Sequence, residues 1–171
     1  MKKLLIITLF LLAATGLFAN NKRFGIGVGG GTMFSGVSGK MLLSDHTAVQ
    51  GILGFVGGDG FALGADFIME IPPYLVKNAD VTLAWYVGAG AAVLHYSYSY
   101  YYGSSSNNYS WNTYGISGVL GLSLMLQRFP LEFTLEWRPT FFIDGNGNDN
   151  FSYGFSGLYL PGSGGSIRFF I

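Results

Sequence analysis

From residue 23 onward, hydrophobic and polar residues alternate along the chain with a period of two. Successive side chains of a β-strand point to opposite faces of the sheet, so this alternation predicts strands with one apolar face. Glycine recurs every few residues and costs about 1 kcal/mol at an interior helical position, which argues against helices. The pattern divides into eight predicted strands: Arg23–Thr32, Val37–Leu43, Ala48–Val56, Phe61–Ile71, Val81–Tyr96, Thr113–Leu126, Leu131–Ile143 and Ser163–Ile171.

The charged residues of these strands fall on the face opposite the large apolar residues. In Leu131–Ile143, Glu132, Glu136 and Arg138 alternate with bulky hydrophobic side chains. Because side chains alternate strictly between the two faces of a strand, one face of the sheet is predicted to be uniformly apolar. The other face is predicted to be rich in glycine, serine, threonine and charge.

The apolar face can turn inward, as in a soluble sandwich or lipocalin-like barrel, or outward to lipid, as in an outer-membrane barrel. Charged residues make up 11% of the chain, against about 25% in soluble domains. Ile167, Phe169 and Ile171 continue the apolar face to the last residue. Both features favour an apolar face that points outward to lipid.

The unpaired backbone groups at the edges of such a sheet decide between an open sheet and a closed barrel. Each unpaired backbone polar group costs several kcal/mol in hydrocarbon, so a sheet facing lipid should close on itself. The sequence therefore predicts an all-β protein, a closed antiparallel eight-stranded transmembrane β-barrel.

Residues 1–19 have the layout of a secretory signal peptide. Lys2 and Lys3 precede the largely apolar segment Leu4–Leu12, and small residues follow up to Ala19. Cleavage is expected after Ala19, with Gly16 as the alternative, and residues 20–171 would form the barrel. The predicted location is the bacterial outer membrane, reached through the inner membrane.

An even strand number places both chain ends on the periplasmic side. Three connections are then predicted to be periplasmic: Ser44–Thr47, Pro72–Asp80 and Gln127–Pro130. Four are predicted to be extracellular: Met33–Gly36, Gly57–Gly60, Ser97–Asn112 and Asp144–Gly162. The two longest fall outside, as long loops do in bacterial barrels.

Eight charged residues are predicted to face the lumen, four of each sign. An eight-stranded barrel is just wide enough for side chains to fill, and buried charges must be paired. We therefore expect a salt-bridge network that plugs the barrel; a narrow cation or proton pore lined by the carboxylates is the alternative. The set is Arg23, Lys40, Arg138, Arg168, Asp66, Glu70, Glu132 and Glu136.

The signal peptide, the alternating strands, the glycine-rich face and the apolar-aromatic last strand together resemble the small OmpA-type outer-membrane barrels. More narrowly, Gly36–Phe55, Pro130–Phe141 and Gly164–Ile171 resemble segments of a group of predicted small outer-membrane proteins. The resemblance implies the fold and the location and says little about activity. We expect a structural or surface-interaction role, with outer-membrane lipid and the barrel assembly machinery as partners. One departure is the terminal Ile171, since these chains usually end in Phe.

Some small barrels are enzymes, and one pair of residues here resembles their site. Outer-membrane lipid A deacylases carry a His-x-Ser pair on a lipid-facing strand, oriented by a carboxylate. His95 and Ser97 resemble this pair and share the lipid-facing phase. A serine nucleophile needs a base and a group that orients it, but no carboxylate lies between Asp80 and Glu132. Catalysis is therefore not expected, and a deacylase-like hydrolase is kept as the alternative.

The segment Tyr96–Asn112 (YSYSYYYGSSSNNYSWN) has the composition of adaptable binding loops, with tyrosine among serine, glycine and asparagine. Tyrosine is also enriched at membrane interfaces, so an aromatic belt that runs into a neutral loop explains the same residues. The alternative is an extracellular loop that recognises a ligand, a surface polysaccharide or a partner protein through Tyr98, Tyr100, Tyr101, Tyr102, Tyr109 and Trp111.

Charge balance and residue usage exclude several other functions. Nine Lys and Arg residues balance nine Asp and Glu residues, so the chain lacks the basic face of a nucleic-acid-binding protein. It has no cysteine, which excludes disulfides, thiolate metal ligands and a thiol nucleophile. His46 has no evident metal-binding partner in the sequence, and no cofactor is predicted.

Overall fold

The computed structural model describes residues 23–56, 60–102, 105–144 and 157–171, and only the backbone at positions 97–102, 105–109, 111 and 144. The predicted signal peptide, residues 1–19, therefore lies outside the described residues. The described part contains no apolar helix long enough to cross a bilayer. It forms ten strands: β1 (Phe24–Gly31), β2 (Ser35–Leu42), β3 (Thr47–Val56), β4 (Gly60–Lys77), β5 (Val81–Tyr102), β6 (Ser105–Leu126), β7 (Leu131–Trp137), β8 (Thr140–Asp144), β9 (Gly157–Tyr159) and β10 (Ser163–Phe170).

These strands close into a barrel. Hydrogen-bonded neighbours follow the order β5, β4, β3, β2, β1, β10, β7, β6, and β6 pairs with β5 to complete the ring. β7 and β8 both pair with β6 in one continuous register, and their other neighbours are β10 and β9. Since β7 with β8 and β9 with β10 each form one interrupted strand, the barrel has eight strands. The predicted fold, a closed antiparallel eight-stranded barrel, is confirmed.

The prediction of one uninterrupted strand over Leu131–Ile143 is wrong, because the strand breaks between β7 and β8 at Arg138 and Pro139. Proline has no N–H to donate to a neighbouring strand, and Pro161 lies in the matching break between β9 and β10. The indole Nε1–H of Trp137 donates to the carbonyl of Leu160 at 2.8 Å. This bond satisfies a carbonyl that the interrupted pairing leaves free.

Side chains alternate between the interior and the exterior of the barrel. Buried and exposed residues alternate without exception along the first ten positions of β4. Large apolar side chains are exposed on the outer wall, for example Phe55 at 79%, Leu135 at 67% and Ile116 at 65%. The predicted apolar outer face is confirmed.

One end of the barrel, here called the short-turn end, carries both termini of the barrel and the connections at residues 43–46, 78–80 and 127–130. The predicted connection Pro72–Asp80 is wrong, because β4 continues to Lys77. Pro72 and Pro73 follow Met69, which forms the last pair between β4 and β3 with Thr47. In the described part of the chain, β3 therefore requires no N–H donor from either proline. The turn itself is short, and Asn78 Oδ1 accepts from the backbone N–H groups of Asp80 and Val81.

The opposite end, here called the hairpin end, also differs from the prediction. The connection predicted over Ser97–Asn112 is wrong, because β5 continues to Tyr102 and β6 begins at Ser105. The candidate loop residues Tyr98, Tyr100, Tyr101, Tyr102, Tyr109 and Trp111 therefore lie in strands. Tyrosine favours strands, and its alternation with serine is itself a period of two.

The predicted connection Asp144–Gly162 at the hairpin end also contains a strand, β9, and its residues 145–156 lie outside the described part.

Inward-facing glycines make room for large side chains on neighbouring strands. A Cβ at Gly25 would lie 2.6 Å from the Phe170 ring, and one at Gly115 would lie 2.8 Å from the Phe142 ring. Real Cβ atoms do not approach so closely, so a large inward residue covers the glycine opposite to it. Five such pairs occur among the described residues: Gly25–Phe170, Gly88–Ile68, Gly90–Asp66, Gly115–Phe142 and Gly121–Tyr86.

Candidate functional site

An ion-pair cluster around Arg138 crosses the barrel interior. The Arg138 guanidinium donates to both carboxylate oxygens of Asp66, at 2.8 and 2.7 Å, and to Glu136 Oε2 at 2.7 Å. Gln50 Nε2 donates to the same two carboxylates, and the Tyr86 hydroxyl donates to Glu136 Oε1 at 2.7 Å. We call these five residues the Arg138 cluster. Two parallel bonds to one carboxylate are the strongest geometry for an arginine.

Four strands and the break after β7 supply these side chains. Gln50 on β3 is directly opposite Asp66 on β4, so the amide and the carboxylate meet across one strand pair. Tyr86 on β5 and Glu136 on β7 are both opposite Gly121 of β6. The missing side chain of Gly121 lets them meet across the intervening strand.

A second cluster, the Glu132 cluster, lies nearer the short-turn end. Glu132 is fully buried and forms ion pairs with Lys40 and, at 2.9 Å, with Arg168. Ser123 Oγ donates to Glu132 Oε1 at 2.8 Å, and Arg168 Nε donates to Ser38 Oγ at 2.9 Å. Lys40 is 2% exposed and Arg168 is 3% exposed, so these cations depend on Glu132 for compensation.

The two clusters carry opposite formal charge. One cation, Arg138, faces two anions, Asp66 and Glu136, which makes the first cluster −1. Two cations, Lys40 and Arg168, face one anion, Glu132, which makes the second cluster +1. Tyr86 lies between them, because its hydroxyl bonds Glu136 and its ring centroid is 5.7 Å from Lys40 Nζ. The formal charges of the two clusters therefore sum to zero.

Two of the eight predicted lumen residues lie outside these clusters. Arg23 is exposed at the short-turn end and Glu70 is half-buried, and neither takes part in an ion pair within the described part of the chain. Both line a cavity of about 490 Å³ that also reaches Lys40 and Glu132. They stand at the entrance of the barrel rather than within its interior.

A smaller cavity of about 60 Å³ lies on the hairpin side of the Arg138 cluster, lined by Gln50, Asp66, Arg138 and Phe34 among others. The Gln50 Oε1 atom is buried and has no hydrogen-bond partner among the described residues. Such a polar cavity has room for a few water molecules. Beyond it, a buried apolar cluster occupies the hairpin end: Val56, Ala62, Ala92, Leu94 and Phe142, with Met33, Phe34, Tyr96 and Tyr159 packed against it.

The candidate hydrolytic pair lies on the outer wall at the hairpin end. His95 is opposite Phe61, with ring centroids 5.0 Å apart, and its Nδ1 is 2.8 Å from Asn112 Oδ1. No ion pair of the described residues includes His95. The side chain of Ser97 lies outside the described part. Within the described part, the hydrogen-bond partner of His95 is therefore an amide and not a carboxylate.

Sequence reasoning missed several interior residues that hold the charges. Gln50, Tyr86, Ser38 and Ser123 are all buried and bonded to the clusters. Each lies on the inward phase of its strand, so alternation contained the signal. The predicted salt-bridge network includes only charged residues, so these polar side chains are not part of it. Asn112 was likewise missed, because it was assigned to a loop.

No family model and no curated protein matches the chain. Among solved structures, it is similar to the crystal structure of the N-terminal β-barrel domain of OprF from Pseudomonas aeruginosa. Sequence identity is 17% and the TM-score is 0.54, and the match covers 87% of this chain and 98% of that one. At this identity the likeness concerns the fold. The chain has the eight-stranded barrel of the OmpA type that the sequence resembles.

Proposed function

We propose that the chain is a small integral protein of the bacterial outer membrane, with a structural or surface-interaction role, a lumen closed by its own side chains and no catalytic step. The observation that carries the proposal is the distribution of apolar and charged side chains, which is the reverse of that in a soluble protein. Large apolar side chains surround the outer wall, and paired charges fill the interior. Export by the signal peptide 1–19 and insertion by the barrel assembly machinery belong to the same proposal.

The outer wall supports a lipid environment. Soluble monomers rarely expose a continuous apolar patch of more than a few hundred Å², whereas here every strand contributes an exposed apolar residue. A lipid-facing sheet must also have no open edge, and β6 pairs with β5 to close the ring of strands. The exposed residues include Ile26, Val37, Leu53, Leu63, Trp85, Ile116, Leu135, Phe141, Leu158 and Ile167.

Three layers support a closed lumen. The first layer is the Glu132 cluster, because the 490 Å³ cavity at the short-turn end stops at Lys40 and Glu132. The second layer is the Arg138 cluster. The apolar cluster around Leu94 and Phe142 lies beyond it. An ion that passes would have to displace buried ion pairs and then cross an apolar layer without its hydration, and each step is costly.

Planar-bilayer recording tests the closed lumen. We expect purified protein in potassium chloride to give no discrete conductance steps, with insertion established on the same preparation by flotation with liposomes. A Lys40→Ala, Glu132→Ala, Arg138→Ala variant, which removes charges from both clusters, is the comparison. Regular steps from the unchanged protein would favour the pore and overturn the closed lumen.

Cysteine labelling tests location and orientation, since the chain has no cysteine of its own. We expect Gly103→Cys, between β5 and β6, to react with a membrane-impermeant maleimide on intact cells. Asn78→Cys, in a turn at the short-turn end, should react only after the outer membrane is opened. Labelling of neither position in intact cells, with the protein in the soluble fraction, would overturn the proposal.

A further inference from the structure

Among the described residues, the β5–β6 hairpin extends beyond the other strands of the barrel wall. The last pairs with neighbouring strands are Phe61 with His95 and Thr113 with Asp144. Pairing between β5 and β6 nevertheless continues from Tyr96 with Trp111 to Tyr102 with Ser105. At about 3.3 Å per residue, this extension is about 23 Å long. We call residues 96–102 and 105–111 the ribbon.

The register of the ribbon sorts its residues into two faces, because directly opposite residues share a face and successive pairs alternate. One face, here called the aromatic face, carries the pairs Tyr96–Trp111, Tyr98–Tyr109, Tyr100–Asn107 and Tyr102–Ser105. The other face carries Ser97–Ser110, Ser99–Asn108 and Tyr101–Ser106. All but one of the ribbon's aromatic residues therefore share one face, and Tyr101 is the exception.

The aromatic face continues the inward face of the barrel. It has the same phase as Leu94 and Thr113, which are buried in the interior. Tyr96, the first of its residues, packs against the apolar cluster at the hairpin end. By register, the aromatic face therefore belongs to the same face of the sheet as the barrel interior, and its first residue, Tyr96, joins it to the apolar cluster.

The charge of this region decides what kind of ligand the face fits. From Val81 to Gln127 the chain has no Asp, Glu, Lys or Arg, so the ribbon offers no ion pair to a charged ligand. Tyrosine and tryptophan offer flat apolar faces with polar edges, and serine and asparagine offer adaptable hydrogen bonds. A sugar ring presents the complementary surfaces, an apolar C–H face and peripheral hydroxyls.

We infer that the aromatic face of the ribbon binds a neutral polysaccharide chain. This inference rests on the proposed function, which places the hairpin end outside the cell. A protein strand that added to the edge of the ribbon would depend on backbone groups rather than on the aromatic face. Substitution of the aromatic residues therefore distinguishes the two kinds of partner.

The test uses the full chain in phosphatidylcholine nanodiscs, which contain no glycolipid, and surfaces coated with dextran, mannan or galactan. A sulfated form of each polymer is the charged comparison. We expect binding to at least one neutral polymer, with an affinity that salt changes by less than about twofold because no ion pairs form. Absence of binding to all three neutral polymers, or a preference for the sulfated forms, would overturn the inference.

The chain offers a matched pair of variants. We expect Tyr98→Ser combined with Tyr109→Ser, a cross-strand pair on the aromatic face, to weaken binding at least about tenfold. Tyr101→Ser, on the other face, should change it by less than about twofold. Equal losses would contradict the assignment to one face, and circular dichroism and electrophoretic mobility establish that each variant is folded.

Failure of this inference and failure of the proposed function are distinguishable. The binding measurements use purified protein and do not depend on cellular location. If Asn78→Cys rather than Gly103→Cys were labelled on intact cells while neutral-polymer binding persisted, the proposed orientation would fall and the ribbon site would stand. If labelling followed expectation without polymer binding, only the ribbon site would fall.

Discussion

Tyr86 lies across Gly121, the residue directly opposite to it in the neighbouring strand. A Cβ at Gly121 would overlap atoms of the Tyr86 ring. Tyr86 is fully buried, and its hydroxyl reaches Glu136 at 2.7 Å. The bare backbone at Gly121 is therefore what allows Tyr86 to reach across β6 and join the Arg138 cluster.

Gly121→Ala should lower the free energy of unfolding by about 1–3 kcal/mol, because one methyl group in a filled interior forces Tyr86 from its position. Gly118→Ala is the matched control on the same strand. Gly118 is exposed, and a Cβ there would meet only Pro139 Cγ at 3.8 Å, an ordinary contact. Urea unfolding in detergent micelles, followed by circular dichroism, measures both. Equal effects would contradict the close approach of Tyr86 to Gly121.

Arg138→Met should lower the free energy of unfolding by about 3–5 kcal/mol, more than Gly121→Ala, because it leaves Asp66 and Glu136 buried without their cation. Arg128→Met is the matched control, since Arg128 pairs with Asp80 at the surface, where the two side chains are 75% and 51% exposed. That pair should be worth less than about 1 kcal/mol. The same unfolding measurement compares them, and a small loss for Arg138→Met would mean that water reaches the two carboxylates.

Alternation predicts which residues face the interior, because a charge on the lipid side of a strand would carry a large penalty. On that basis Lys40, Asp66, Glu132 and Arg168 are predicted to face inward, and all four are buried. Arg23, predicted inward by the same rule, is exposed at the short-turn end. Alternation does not predict which charges meet. Arg138 and Asp66 are 72 residues apart, and their contact depends on the tilt and stagger of strands on opposite sides of the barrel.

Composition was misleading where alternation was informative. The Tyr-Ser segment after His95 was assigned to a loop because serine, glycine and asparagine are common in loops. Tyrosine and serine alternate with a period of two from Tyr96 to Tyr100, and β5 continues to Tyr102. In the described part of the chain, the extension has no neighbouring strand on the β4 side. Nothing in the sequence indicates that two strands would be longer than the others.

Leu135→Arg tests the outward apolar face. Leu135 is 67% exposed on β7, and an arginine there would face hydrocarbon at a cost of up to about 2–4 kcal/mol near the bilayer midplane. Phe129→Arg is the control, because Phe129 is 72% exposed in a turn at the short-turn end. Unfolding from phosphatidylcholine vesicles should separate the two variants. A Leu135→Arg protein that became soluble without detergent would contradict the membrane assignment.

His95→Ala tests the hydrolase alternative. Asn112 Oδ1 accepts from His95 Nδ1 when that nitrogen carries the proton, and this leaves Nε2 as the acceptor that a general base needs. An amide can hold the ring in this orientation, but it adds no negative charge to stabilise the imidazolium that proton transfer would create. We therefore expect the lipid A acylation pattern of cells to be the same with the unchanged protein, His95→Ala and Asn112→Ala. Mass spectrometry of extracted lipid A measures the pattern. Loss of an acyl chain with the unchanged protein, and its retention with His95→Ala at equal protein abundance, would establish catalysis.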